Sequence, residues 1–248
     1  MNWSWIDLAF PWIGAAAALV LLALMFGTDL LRGQPSSSRW RDFVWLSWMA
    51  VVAYLLHNVE EYGIDLLGHR HAFPDALCAA LKLPAYPGCP IPPAFYLAVN
   101  LPLFWIVAPL AAVLSRRHPL VGFALYSVIF TNGLVHLVMV LVLGEAYNPG
   151  LLTAVVLFLP LSAWVGYACF GKNRLRYAAM ALIVSWGVVL HVILAGSMIS
   201  FVNGLISSGT LVCVQIINAA LLLPVFCGRR SLEAESAIVI GTLPSCMR

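Results

Sequence analysis

Residues 57–62, His-Asn-Val-Glu-Glu-Tyr, combine a histidine with two adjacent carboxylates at the end of a hydrophobic run long enough to cross a bilayer. Ionisable side chains in lipid carry a large desolvation cost and usually serve a function there. On a helix, residues three and four apart are neighbours, so His57 faces both Glu60 and Glu61. At about 100° per residue, the three polar heads converge on one small volume. The spacing predicts a site that holds a metal ion or moves a proton, with His57, Glu60 and Glu61 as its catalytic residues.

The composition places this site in a membrane protein. Of the 248 residues, 62% are hydrophobic and 9% are charged, and the mean hydropathy is +0.96. A soluble domain carries about 25% charged residues, so we expect an all-α, multi-pass integral protein of a bacterial inner membrane or an endomembrane. The net charge of +3 does not indicate a nucleic-acid partner, because the basic residues lie in short connections between helices.

Hydrophobic windows of about 20 residues predict a bundle of seven transmembrane helices. The windows lie at 9–30, 42–63, 94–115, 120–144, 150–170, 176–199 and 204–226. Of the 13 basic residues, all except Arg70 and Lys82 fall in alternate connections or near the C-terminus, and basic residues favour the cytoplasmic side. We therefore expect the N-terminus outside and the C-terminus in the cytoplasm. The predicted membrane domain covers 1–230, with an outer loop over 64–93, and is followed by a short disordered tail over 231–248.

The outer loop contains Cys78 and Cys89. In an oxidising compartment the two would form a disulfide, and two free thiols are the alternative that the spacing leaves open. Residues 76–83 are predicted to form a short helix, with Asp75 as its N-cap and Pro84 at its end. This helix is a candidate lid over the site.

Further polar residues share a depth in the predicted spans. His57, His136, His191 and Asn100 lie between roughly 9 and 13 Å from the outer ends of their helices, at about 1.5 Å per residue. Taken singly, a membrane histidine or asparagine is more often a hydrogen-bonded core residue than a ligand, and the two glutamates can snorkel to the interface. Three histidines and two glutamates at one depth, without lysine or arginine in the interior of the spans, favour a shared site.

These motifs resemble those of a known family. The His-x-x-Glu-Glu of residues 57–61, a later histidine, and the Tyr-Asn-Pro-Gly of residues 147–150 are similar to the pattern of the HXXEE-motif membrane proteins. His136 best matches the second histidine of that family, and Tyr147 opens its Tyr-x-Pro-Gly element. The resemblance covers roughly residues 42–200 and implies a fold and a site, with no established reaction.

A divalent metal is the preferred explanation of the cluster. Two adjacent carboxylates without a nearby cation do not both stay ionised in an apolar medium. Imidazole and carboxylate ligands from several helices suit zinc or iron, and the predicted ligands are His57, Glu61 or Glu60, His136 and His191. The glutamate that is not a ligand is expected to act as general base on a metal-bound water. The preferred reaction is therefore a hydrolysis of a lipophilic substrate.

Two other functions use the same residues. A protonated glutamate in an apolar cavity is a good general acid and starts an isoprenoid cyclisation or a sterol-type isomerisation without a metal, while aromatic rings stabilise carbocations. A proton-coupled transporter is the third alternative, disfavoured because the polar residues occupy only the outer half of the membrane. For either enzyme we expect a lipid or another lipophilic small molecule as substrate. Its predicted contacts are Asn100, Asn132, Tyr147, Trp105, Trp186 and Tyr54.

Overall fold

The computed structural model describes residues 3–144, 146–172 and 174–227, and within them the chain is helical, without a β-strand. Seven helices are long and apolar enough to cross a membrane. They are α1 (Trp5–Gly27), α2 (Phe43–Gly63), α4 (Pro93–Leu114), α5 (Pro119–Val142), α6 (Leu151–Cys169), α7 (Tyr177–Val202) and α8 (Ser208–Phe226), with the short α3 (Ala72–Ala80) between α2 and α4. The predicted tail over 231–248 lies outside the described residues.

The seven predicted segments are confirmed as helices that are long and apolar enough to cross a membrane, and each helix end lies within four residues of its predicted position. Hydropathy is a strong guide here because a span has to be apolar along its whole length. The all-α class is confirmed as well. The direction in which the chain crosses the membrane stays a prediction from the basic residues.

Polar side chains define where the first two helices begin. Ser4 and Asp7 form a reciprocal capping box at the start of α1, with Ser4 N donating to the Asp7 carboxylate at 2.7 Å. Asp42 caps α2 by accepting from Val44 N at 2.9 Å, and it also accepts from Gly33 N at 2.9 Å. One carboxylate thus satisfies free N–H groups of the helix and ties the preceding loop to it.

α2 is the central helix of the bundle. In its apolar window 72% of the residues are buried, against 22–44% in the other six spans. Helices α1, α4, α5 and α6 pack around α2, while α7 packs on α5 and α8. The outer helices expose large apolar side chains such as Leu19, Leu141 and Val192, as expected of a surface that faces acyl chains. Polar residues at the end of α2 are therefore shielded from lipid.

The outer loop covers that end of α2. Cys78 and Cys89 form a disulfide, which decides between the two alternatives for this pair. The ring of Phe73 in α3 lies 5.6 Å from the Tyr62 ring and 6.3 Å from the His136 ring, measured between centroids. α3 thus lies over the ends of α2 and α5, in the position expected of a lid.

The predicted bounds of this short helix are wrong. It begins at Ala72 rather than at residue 76, and the N-cap is His71, whose φ of 54° is left-handed. Pro74 does not prevent this earlier start, because proline is tolerated in the first turn of a helix. Asp75 lies inside that turn and accepts from Tyr86 N at 2.9 Å, so its carboxylate joins the two halves of the loop instead of capping the helix.

Candidate metal centre

Three buried side chains from α2 and α5 converge on one point. Glu61 Oε1 lies 3.3 Å from His57 Nε2 and 3.4 Å from His136 Nε2. The exposed fraction is 0% for His57, 3% for Glu61 and 4% for His136, so bulk water is excluded from these side chains. One ligand atom of each residue lies within 4.8 Å of the other two, a spacing that a single metal ion can bridge.

The shape of α2 separates its two adjacent glutamates. The helix widens into a π turn over Val59–Gly63, closed by a hydrogen bond of 2.8 Å from Ile64 N to the carbonyl of Val59. Such turns occur frequently at functional sites. Glu61 contacts α5, whereas Glu60 contacts the start of α6.

Asn148 determines which nitrogen of His136 carries the hydrogen. The Asn148 Nδ2 group donates to the His136 carbonyl at 3.0 Å, which leaves Asn148 Oδ1 at 2.6 Å from His136 Nδ1. Because an amide oxygen only accepts, Nδ1 is the protonated nitrogen of the neutral ring. His136 Nε2 therefore presents a lone pair to Glu61.

Thr153 determines which nitrogen of His57 carries the hydrogen. Thr153 Oγ1 lies 2.6 Å from Glu60 Oε2 and 2.7 Å from His57 Nδ1. The carboxylate only accepts, so the hydroxyl hydrogen goes to Glu60 and the hydroxyl oxygen accepts from His57 Nδ1. His57 Nε2 thus also carries a lone pair, and it is buried without a hydrogen-bond partner among the described residues.

When both imidazoles are neutral, their two lone pairs and a carboxylate oxygen consequently face one another. A buried acceptor without a donor costs about 1–3 kcal/mol, and a cation at the common point removes that cost. Two imidazole nitrogens and one carboxylate oxygen are a donor set that zinc and iron accept. The hydrogen bonds at the two outer nitrogens are of the kind that orients metal-bound histidines.

Glu60 is held by four hydrogen bonds. Its Oε1 accepts from the Tyr147 hydroxyl at 2.8 Å and from Leu152 N at 2.9 Å, and its Oε2 accepts from Thr153 N at 2.7 Å and Thr153 Oγ1 at 2.6 Å. The two N–H groups belong to the first turn of α6 and lack partners within that helix, so Glu60 caps α6 from across the bundle. This geometry does not support Glu60 as the general base. It makes Glu60 a positioning residue that acts on His57 through Thr153.

Tyr147 links the loop before α6 to the segment that follows α2. Burial raises the pKa of its hydroxyl above the ordinary value; the hydrogen bond from Leu66 N, at 3.1 Å, lowers that pKa, and the adjacent Glu60 carboxylate raises it. The hydroxyl therefore stays protonated at neutral pH and donates to Glu60.

Gly150 allows the loop backbone to pack directly on both imidazoles. Its φ is 101°, a conformation that favours glycine. A Cβ at this position would lie 2.7 Å from His57 Cε1 and would also overlap the His136 ring. The glycine of the Tyr-x-Pro-Gly element is therefore required by the site itself.

His191 does not join the three converging residues. Its Nδ1 donates to the Gly187 carbonyl of its own helix at 2.8 Å, and it is not part of the group of ligand atoms found among the described residues. Its predicted depth in the membrane is similar, but α7 packs on α5 and α8. The predicted role of His191 as a ligand is not supported by this geometry.

The residues predicted to contact substrate are dispersed. Tyr54 lies beside the centre, with its ring 5.3 Å from that of His57. Asn100 Nδ2 donates to the Tyr96 carbonyl of its own helix at 2.9 Å. Trp105 borders a separate cavity between α1, α2 and α4. Among these residues, Tyr54 contacts His57 and Tyr147 donates to Glu60.

Three residues of the site were missed in the sequence, namely Asn148, Gly150 and Thr153. The first two belong to the Tyr-x-Pro-Gly element, which was a signal for them, whereas a threonine in the first turn of a helix carries none. Asn132 Oδ1 and Trp186 Nε1, both predicted to contact substrate, are buried without a hydrogen-bond partner in the described part of the chain.

Replacing Thr153 with valine is expected to lower the metal affinity of the centre by about 10–100-fold. Valine keeps the shape of the side chain but removes the hydroxyl that joins His57 Nδ1 to Glu60. Calorimetric titration of the metal-free protein with zinc measures the change. Thr131→Val is the matched control, because Thr131 Oγ1 is buried without a hydrogen-bond partner among the described residues. Equal affinities of the two variants would contradict the role of Thr153.

The region that contains the His-x-x-Glu-Glu and Tyr-x-Pro-Gly motifs is similar to a known protein family. Residues 48–165 match a family model described as a protein of unknown function with HXXEE motif. The matched region contains the three converging residues and the loop over 147–150, and it ends before His191. No curated protein and no solved structure matches the chain. Residues 48–165 of the chain are therefore similar to the HXXEE-motif family, whose function is unknown.

Proposed function

We propose that this protein is an integral membrane enzyme in which His57, Glu61 and His136 hold a zinc or iron ion for the hydrolysis of a lipophilic substrate. The observation that carries the proposal is the convergence of three buried side chains, with Glu61 Oε1 at 3.3 Å from His57 Nε2 and 3.4 Å from His136 Nε2. When bound, such an ion polarises a carbonyl or phosphoryl oxygen and lowers the pKa of water towards neutrality.

The number of ligands favours a catalytic ion over a structural one. Structural zinc sites are closed by four protein ligands, whereas catalytic sites use three and leave a position for a reactant. Within the described residues the group consists of two histidines and one glutamate. This composition is that of an open site.

The chain itself supplies orientation and proton transfer. Thr153 and Asn148 hold the two imidazoles in the tautomer that points Nε2 inward. Since the oxygens of Glu60 are occupied by four donors, we assign proton transfer to Glu61 as well as ligation. Its Oε1 faces the two imidazoles, and the second carboxylate oxygen would exchange the proton. Aromatic rings surround the centre, with Phe158 at 4.5 Å from the His57 ring, and such surroundings suit a lipophilic substrate.

Elemental analysis of the purified protein tests the proposal. We expect stoichiometric zinc or iron, and we expect His136→Ala to lose the ion because it removes a ligand. His191→Ala is the matched control, since His191 lies outside the converging group, and it should retain the ion. Equal metal contents in the two variants would rule out the centre described here.

A metal-free general acid is the second candidate, favoured by the aromatic rings beside His57. A proton shared by Glu61 and a histidine satisfies the same acceptors, and Tyr54, at 5.3 Å from the His57 ring, would stabilise a carbocation during an isoprenoid cyclisation or a sterol-type isomerisation. A metal-free preparation with full turnover of an isoprenoid substrate would favour this candidate over the metal enzyme.

We also infer that the N-terminus and the outer loop face the periplasm or an organelle lumen. The inference is supported by the distribution of basic residues and by the Cys78–Cys89 disulfide, because disulfides persist in oxidising compartments. The cytoplasmic end is then the one that carries Arg41 and the other basic residues of the α1–α2 loop.

A further inference from the structure

An apolar groove with a volume of about 1100 Å³ runs along the side of the bundle between α2 and α6. Its walls include Leu22 of α1, Met49 and Leu56 of α2, and Val156 and Leu161 of α6. Val156 is 58% exposed, so the groove opens sideways. In a membrane, this opening faces the acyl chains of the bilayer.

One end of the groove adjoins the candidate metal centre. Leu56, which lines the groove, directly precedes His57. Val156 follows Thr153 by less than one helical turn, and Thr153 is hydrogen-bonded to His57 at 2.7 Å. A ligand in the groove therefore reaches within about one turn, or about 5 Å, of the residues that orient the centre.

The other end of the groove carries a cation, Arg41, without an ion-pair partner among the described residues. Arg41 lines the groove together with Ser38, and its side chain is exposed. It forms no ion pair with a described residue, whereas Arg32 and Arg39 both pair with Asp29. A guanidinium at the mouth of an apolar groove matches a ligand with an anionic group and a hydrophobic chain.

Two tryptophans flank this cation. Trp40 and Trp164 both line the groove, their ring centroids are 6.3 Å apart, and Trp164 Nε1 donates to the Trp40 carbonyl at 2.8 Å. Tryptophan is enriched at the level of lipid headgroups. The groove thus places its cation where the headgroup of a membrane lipid lies.

We propose that the groove binds a single-chain membrane lipid whose carboxylate or phosphate headgroup contacts Arg41 and whose chain extends along α2 to the metal centre. The path from Phe43 to Leu56 is roughly 20 Å at about 1.5 Å per residue, which accommodates a long chain. The assignment of this lipid as substrate rests on the proposed function, and it implies a hydrolysable bond remote from the anionic group. The binding itself does not require the ion.

Photolabelling of the full-length protein in phosphatidylcholine nanodiscs tests the proposal. The probe is a long-chain fatty acid with a diazirine near its methyl end, and the comparison is the alcohol of the same chain length. We expect the acid to label α2 and α6 near Leu56 and Val156, and the alcohol to bind at least about tenfold more weakly because it lacks the charge. Equal binding of acid and alcohol, or labels scattered over the outer helices, would overturn the proposal.

Three variants separate the groove from general partitioning into lipid. Arg41→Gln is expected to weaken binding of the acid by at least about tenfold, and Val156→Trp is expected to block the groove from an exposed position without disturbing the core. Arg117→Gln is the control, because Arg117 is exposed and does not line the groove. Unchanged binding by Arg41→Gln or by Val156→Trp would contradict a groove-bound lipid.

The same labelling with His136→Ala distinguishes the two proposals. We expect this variant to lose the ion and to keep the label near Leu56. Retention of the ion would refute the metal centre but would not affect the proposal of a lipid in the groove. If the wild-type protein contained the ion but was not labelled near Leu56, the lipid-binding groove would be refuted and the metal centre would not.

Discussion

The Glu61→Gln variant is expected to lose its metal ion and to keep its fold. The substitution removes the charged ligand that lies between the two imidazoles, so affinity should fall by more than about 100-fold, beyond the largest effects of residues that only orient ligands. The new amide can donate to a histidine Nε2 that otherwise faces an acceptor. Thermal stability in detergent should therefore be unchanged or higher, while elemental analysis shows the loss of metal.

Glu60→Gln is the matched substitution one residue away. We expect the opposite result, a loss of stability with the metal ion retained. All four partners of Glu60 are donors, so an amide NH2 would face a donor and the charge at the start of α6 would be lost. A hydrogen bond to a charged group contributes about 1.5–3 kcal/mol, and the free energy of unfolding should fall by at least that amount. If Glu60→Gln were stable and free of metal, and Glu61→Gln unstable, the two roles would have to be exchanged.

The Gly150→Ala variant is expected to disrupt the centre and to lower stability together. A Cβ at this position overlaps both imidazole rings, and the φ of 101° adds backbone strain of about 1–3 kcal/mol. Because the loop cannot move without releasing Asn148 and Thr153, the histidines should lose their orientation and the ion. Metal analysis and thermal unfolding measure the two effects.

The Gly144→Ala variant distinguishes the effect of backbone strain from that of steric overlap with the imidazoles. Gly144 also has a left-handed φ, of 69°, but a Cβ there meets nothing within 4 Å. It should lose stability through strain alone and retain the ion. Metal retained by Gly150→Ala, or lost equally by both variants, would show that the loop does not act through contact with the imidazoles.

The positions of the seven long apolar helices were predictable from the sequence. Seven apolar windows, each long enough for one crossing, coincide with the seven helices to within four residues at each end. The disulfide was left open because proximity of Cys78 and Cys89 depends on the fold of the loop. The start of α3 was misplaced because Asp75 resembles an N-cap, while its actual partner, Tyr86, is distant in sequence.

The different roles of Glu60 and Glu61 depend on the tertiary structure. In a regular helix both lie near His57, and no local property distinguishes one carboxylate from the other. The π turn at Val59–Gly63 and the free N–H groups at the start of α6 give the two carboxylates different partners. Glu60 accepts hydrogen bonds from the N–H groups of α6, whereas Glu61 contacts the two imidazoles.

What the sequence alone determined is the position of each polar residue along its helix, and hence its predicted depth, since every helical residue adds the same rise and every span must be apolar. Which way a residue faces was decided by the tertiary structure. His136 and His191 share a predicted depth, yet of these two histidines only His136 contacts Glu61, whereas His191 bonds to its own helix. The reason is physical: the direction of a side chain depends on which helices pack against its own, and that is set by the whole bundle and by the loop over 147–150.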